Sequence, residues 1–150
     1  MAADGVLRRG GRLLKDQLHS FLAEMQIAFV EGRFQEIAAN FVFPLVVYTP
    51  VGVTLIRNPD QFAQVSSLYR DAIIALDVAS SDIRIEECDQ PRNRRFRVTA
   101  RFTDFNAEGT HVTGSLIRYF MIEDSDSFKV EMMEYLELPI PISDVERIVH

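Results

Sequence analysis

The side chains of this sequence that could do chemistry fall into a few groups. Glu134 alternates with Met132 and Leu136 in a strand-like run, which on one reading sets a carboxylate on an apolar face. A carboxylate desolvated there would hold its proton to higher pH and could serve as a general acid or base. The same pattern arises if a bulge turns Glu134 outward, or if an arginine such as Arg70 pairs with it. Asp104 and His111 flank the turn Asn106-Ala107-Glu108-Gly109. Across a hairpin the carboxylate could hold the imidazole as a general base, although strand ends at turns are commonly wet and would leave such a pair solvated. Thr49, Tyr69 and Tyr119 could bring hydroxyls to a cavity mouth, whereas buried tyrosines also serve simply as core. Cys88 is the only cysteine and has no partner at metal-ligand spacing. No glycine-rich phosphate loop, CxxC or HExxH occurs, so no cofactor and no metal are expected.

The elements that must position these groups follow from periodicity. Residues 12–31 repeat apolar side chains at three- and four-residue steps (Leu14, Leu18, Phe21, Leu22, Met25, Phe29), which predicts a helix that Gly32 stops. A short second helix is predicted over 34–41, ending at Pro44. Residues 45–49 and 53–57 flank Pro50-Val51-Gly52 as a hairpin. Asn58-Pro59 then opens a third helix with an N-cap and a proline in the first turn. A short strand is predicted over 83–87, and three long strands run from 93 to 138, joined at Asn106–Gly109 and at Ser125-Asp126.

In the first long strand Phe96, Val98, Ala100 and Phe102 alternate with Arg95, Arg97, Thr99 and Arg101, the mark of a sheet with one buried face. The turn at Asn106–Gly109 admits two registers. One sets Asp104 and Phe102 on the face of His111, Thr113, Ser115, Ile117 and Tyr119; a three-residue loop with Gly109 in a bulge flips the set. The second turn aligns Ser115, Ile117, Tyr119 and Met121 with Leu136, Glu134, Met132 and Val130. On the first register the inner face is apolar with polar groups toward one end, as a cone-shaped cavity would be. The outer face mixes Arg95, Arg97, Arg101 and Arg118 with Glu131, Glu137 and Lys129, and with Leu116, Phe120, Met133 and Tyr135. Cross-strand ion pairs would neutralise the arginines, and this mixture is typical of a dimer interface.

The 150 residues are 47% hydrophobic and 25% charged, enough for the core of one domain, here 1–150 with tails at 1–11 and 139–150. A net charge of −6 makes nucleic acid a poor partner. No run reaches the roughly 18 apolar residues of a membrane span. With one cysteine and no apolar leader-like segment, a cytoplasmic protein is expected. Helices kept apart from antiparallel strands argue for an α+β fold.

On the element order, on FVEGRFQEIAANF, on the hairpin before NPDQFAQVSSLYRDAI, on FRV opening the first long strand and on EYLEL closing the last, residues 12–138 resemble the nuclear transport factor 2-like superfamily. That superfamily includes the SnoaL-like proteins, ketosteroid isomerase and scytalone dehydratase. The resemblance implies a cone-shaped fold whose curved antiparallel sheet is covered by three N-terminal helices, and it selects the register without a bulge. It implies dimerisation through the outer sheet face. It also implies what is missing. The isomerase's base, tyrosine and acid fall at Thr49, Met25 and Ser115, none of which can do that work. A histidine–aspartate dehydratase site would need paired cavity histidines, and only His19, His111 and His150 are present. The expected function is a homodimeric module binding a small apolar molecule. Phe96, Val98, Phe102, Ile117 and Met132 form its floor, and Thr49, Tyr69, Ser115, Tyr119 and Glu134 orient the ligand. The alternatives are an isomerase- or dehydratase-like enzyme using Glu134 or the His111–Asp104 pair, and a protein-interaction domain with a filled cone.

Overall fold

The computed structural model describes residues 11–141, 145 and 148. Residues 1–10 of the tail expected at 1–11, and the terminal His150, lie outside them, while Gly11 belongs to the first helix. The elements are α1 (Gly11–Val30), α2 (Phe34–Ala38), β1 (Phe41–Thr49), β2 (Gly52–Ile56), α3 (Pro59–Ala75), β3 (Ser80–Cys88), β4 (Arg95–Phe105), β5 (His111–Asp124) and β6 (Ser127–Glu137). The strands form one unclosed six-stranded sheet in the order β2-β1-β6-β5-β4-β3. All its pairings are antiparallel except β1 with β6.

Local chemistry sets the helix ends. Gly32, at φ 76°, lets the chain leave α1 in the left-handed region, and the Arg33 N–H then reaches back to Ala28 O at 2.8 Å. Asn58 caps α3, its side-chain oxygen accepting from the Gln61 N–H at 2.9 Å with Pro59 in the first turn. Leu14, Leu18, Phe21 and Leu22 of α1 are buried, while Leu13 is 51% exposed on the opposite side. The helix is tied to β3 by His19 Nε2 donating to Ile83 O at 3.0 Å.

Two boundaries differ from expectation. The second helix stops at Ala38, and β1 starts at Phe41 and runs through the cis Phe43-Pro44 bond. The β1–β6 register shifts between Phe41 and Val46, so the ladder makes no demand there on the N–H that proline lacks. Likewise β3 runs from Ser80 to Cys88, longer than the 83–87 expected.

The sheet bends through register irregularities. They fall between β3 and β4 at Ile85/Glu87, between β4 and β5 at Asp104/Phe105, and between β5 and β6 at Phe120/Met121 and at Leu116/Ile117. Each inserts a residue that kinks its strand and tightens its twist. The result is a curved sheet with α1, α2 and α3 across its concave face, a cone with an α+β architecture. At one end Phe96, Phe128 and Phe21 stack edge to face, with centroids 5.8 and 5.6 Å apart, and close the core. At the other end the layers part and leave a cavity.

Candidate functional site

The cavity has a volume of about 190 Å³. Its walls come from Leu22, Met25 and Phe29 of α1, Leu45 and Val47 of β1, Phe62, Val65 and Tyr69 of α3, and the concave faces of β4, β5 and β6. Val145 and Ile148, within the segment expected to be a tail, also line it, and Ile140 and Val145 are buried.

The β5–β6 irregularity decides which groups reach this space. Met121 pairs with Val130 as expected, but Phe120 pairs with Met132, so Glu131 is an extra residue on β6. One extra residue exchanges the two faces of the strand beyond it, here as far as the next irregularity at Leu136. Met133 and Tyr135 therefore face the cavity, opposite Tyr119 and Ile117. This corrects the expectation for Met132 and Glu134, which are on the outer face. Glu134 accepts from Arg118 at 3.1 Å, with both side chains about one-third exposed. The expectation that Met133 and Tyr135 point outward is corrected with it. The bulge keeps a carboxylate in water and exchanges it for a phenol that can be buried at lower cost.

A second irregularity separates the expected His111–Asp104 pair. Asp104 is opposite Thr113, but Phe105 is opposite His111, leaving Val112 as the extra residue. Asp104 is 5% exposed and lines the cavity, whereas His111 is exposed and sits edge-on to Phe105 at 6.2 Å. Phe102 and Ser115 are direct cross-strand partners, and both line the cavity with Ile117 and Tyr119. Phe96 and Val98 are buried but belong to the closed end of the core, outside the cavity wall. Thr49 lines the rim, its hydroxyl engaged in the β1–β2 turn: it accepts from the Val51 N–H and donates to Gly52 O, both at 3.2 Å.

The polar groups that remain form a small constellation. Ser81 on β3, directly opposite Asp104, donates its hydroxyl to Asp104 Oδ1, and Gln26 Nε2 of α1 donates to Ser81 Oγ at 3.2 Å. Tyr69, Tyr119 and Tyr135 stand around the same space, with the Tyr69 ring 6.0 Å from Tyr135 and 6.0 Å from Phe29. The Tyr69 hydroxyl is buried without a hydrogen-bond partner among the described residues. The hydroxyl of the neighbouring Tyr135 acts on it and adds to the effect of burial. Burial raises all three phenols above their ordinary pKa, so they stay neutral donors.

Burial also raises the Asp104 pKa, opposed by the Ser81 hydrogen bond and by the charge of His111. A carboxyl whose folded pKa exceeds its unfolded value binds its proton more tightly when folded. Its ionisation therefore erodes stability as pH rises through that range. Asp104→Asn, which keeps the acceptor for Ser81 and removes the charge, is expected to unfold at a higher temperature than wild type at neutral pH. The two should converge below about pH 4, where the unfolded carboxyl is also protonated. Thermal unfolding at both pH values checks this; a variant less stable at neutral pH would mean that the buried charge is fully compensated.

Ser81, Gln26, Phe29, Met133 and Tyr135 were not legible as site residues. For Ser81 the signal was present: extending the alternation of Ile83 and Ile85 back by one step sets it on the face opposite Asp104.

This cone is the nuclear transport factor 2-like fold, found in an NTF-2-like protein of unknown function from Shewanella oneidensis. That structure has a TM-score of 0.58 and 11% identity over 80% of this chain and 96% of that one. Aln2 from a Streptomyces species matches with a TM-score of 0.61 and 16% identity over 85% of this chain and 92% of its own. A Catenulispora acidiphila protein in complex with S-DNPA matches at 0.57 and 14% identity over 83% and 94%. No protein-family model and no curated protein matches the chain. At these identities the likeness is one of fold.

Proposed function

We propose that the cone is a binding module for a small, largely apolar molecule. The observation that carries this is the cavity itself: apolar on most of its wall, with one buried carboxyl and a buried phenol, Tyr69, whose hydroxyl meets no geometric hydrogen-bond partner among the described residues, facing the same space. Unpartnered polar groups cost free energy when buried, and a ligand that pairs with them recovers part of that cost. Size limits the ligand. An apolar cavity of about 150 Å³ holds a benzene molecule, so about 190 Å³ suits one ring with a short substituent. A fold neighbour in complex with S-DNPA is in keeping with this reading.

A panel of single-ring compounds tested by thermal shift checks the proposal. A ligand present at 100 times its Kd should add about 2.7 kcal/mol to the unfolding free energy. Ser115→Phe, whose ring would occupy the cavity, should abolish the shift. Glu134→Gln, on the outer face, should leave it intact. No shift from any compound removes the proposal.

Two further parts of the reading have their own support. The outer sheet face carries Leu116, Phe120 and Met132 among the ion pairs Arg95–Glu131 (3.0 Å), Arg101–Glu137 (2.9 Å) and Arg118–Glu134 (3.1 Å). Such a mixed face supports a homodimer, and native mass spectrometry of purified protein should give twice the subunit mass. The paired arginines leave little net positive charge for nucleic acid. No helix among the described residues is long and apolar enough to cross a membrane. The second functional reading is an isomerase- or dehydratase-like enzyme. Its support is Asp104, a cavity carboxyl with a raised pKa and hence a competent proton acceptor or donor.

A further inference from the structure

Resting on the binding reading above, we infer that the cavity takes a small organic cation: a protonated amine carried on one ring, with Asp104 as its counter-ion and the rings of Tyr69, Tyr135 and Phe29 around it.

The charge of the wall is the first argument. Among the described residues lining the cavity Asp104 is the one carboxylate, and there is no lysine, arginine or histidine. An anionic ligand would meet a like charge in a desolvated space, offset only by the exposed His111, which is not in the cavity wall. The second argument is the state of Asp104. It is 5% exposed and has no basic ion-pair partner among the described residues, unlike Asp89, Glu131, Glu134 and Glu137 on the outer face. The third is the direction of its hydrogen bonds. Gln26 donates to Ser81, and Ser81 gives its only hydroxyl proton to Asp104 Oδ1. The donors run toward the carboxyl and favour its ionised form, against burial, which is the larger effect and which a cationic ligand would offset. One hydroxyl does not exhaust the acceptor capacity of a carboxylate. An ammonium group supplies both the further N–H donors and the opposite charge.

The rings supply the rest. Tyr69 lies between Phe29 and Tyr135, each at a centroid distance of 6.0 Å. The faces of such rings attract cations, most strongly in a dry site. The Tyr69 hydroxyl, without a partner among the described residues, can accept from the same ammonium. The net charge of −6 favours the approach of a cation over long range.

The test compares three isosteric probes at pH 7 by isothermal titration: benzylamine, a cation; benzyl alcohol, neutral; and benzoate, an anion. Wild type is expected to bind benzylamine at least about tenfold more tightly than benzyl alcohol, with no binding of benzoate. Asp104→Asn should erase the preference by weakening benzylamine at least about tenfold more than benzyl alcohol. The wild-type comparison needs no variant to fold. Benzyl alcohol or benzoate binding as tightly as benzylamine overturns the amine assignment and leaves the cavity reading standing. A preference that survives Asp104→Asn overturns the counter-ion role. Failure of all three probes to bind either protein overturns both readings.

Discussion

Replacing Gly114 by valine is expected to destabilise the protein by about 1–3 kcal/mol, the range for forcing atoms into a packed site with backbone movement, and to abolish ligand-induced stabilisation. Gly114 sits on β5 opposite Thr103, one residue from the Phe102–Ser115 pair in the cavity wall. A Cβ built there would lie 2.6 Å from the carbonyl oxygen of Phe102, which is backbone and cannot rotate away. The β4 and β5 backbones approach this closely beside the Asp104/Phe105 irregularity. Glycine in a strand commonly marks such a bend. Relieving the clash means moving β4 from β5, which flattens the sheet at the point where it wraps the cavity. Chemical denaturation gives the stability and thermal shift gives the binding. A useful contrast is Gly109→Asn: at φ 80° with nothing within 4 Å of its Cβ position, that turn tolerates asparagine at a cost under about 1 kcal/mol. Equal stability of wild type and Gly114→Val would mean that curvature does not depend on this approach.

Gly114 also illustrates which parts of the molecule were legible in the sequence. Regular elements carry a repeated signal. The alternation of Phe96, Val98, Ala100 and Phe102 with arginines fixes a strand and its inner face, and Asn58-Pro59 announces a helix start that the structure contains at the same residue. Element order followed, and with it the fold. Bulges carry no repeated signal. In Met132-Met133-Glu134-Tyr135 both parities offer an apolar side chain, so neither face could be preferred by pattern, and the choice falls to Glu131, an extra residue with nothing in its type to mark it. A single unmarked residue therefore exchanged Met132 and Glu134 for Met133 and Tyr135 in the cavity. The other bulge, at Val112, moved His111 away from Asp104. Sites built beside irregularities are the part of a fold that periodicity describes least, and here the extra residues Glu131 and Val112 fall near cavity-lining residues. Asp104, Ser115, Ile117, Tyr119 and Phe102 were still reached, because the β4–β5 register up to Asp104–Thr113 is the unbulged one, and Tyr69 and Thr49 line the cavity from α3 and β1.

Leu22→Ala should have the other large effect, and its consequences run from stability into binding. Leu22 is 1% exposed on α1 and forms part of the cavity wall. Truncating a buried leucine removes its transfer free energy and leaves a void, together about 3 kcal/mol. For a chain of this size that lowers the unfolding midpoint by about 6–12 °C. Leu13→Ala on the same helix, at a side chain 51% exposed, should stay within about 0.5 kcal/mol of wild type, which tests the face that α1 presents to the sheet. The void left by Leu22 is not isolated, because it opens into the existing space. The variant should therefore accept ligands one fused ring larger than wild type does, and such a ligand at 100 times its Kd should restore about 2.7 kcal/mol, most of what the truncation removed. The two halves of this result answer different questions. A loss of stability without a change in ligand size would mean that Leu22 packs in the core but not against the cavity. A change in ligand size with little loss would mean that the wall is already loose at α1, and that the size limit inferred from the cavity volume is set instead by the sheet.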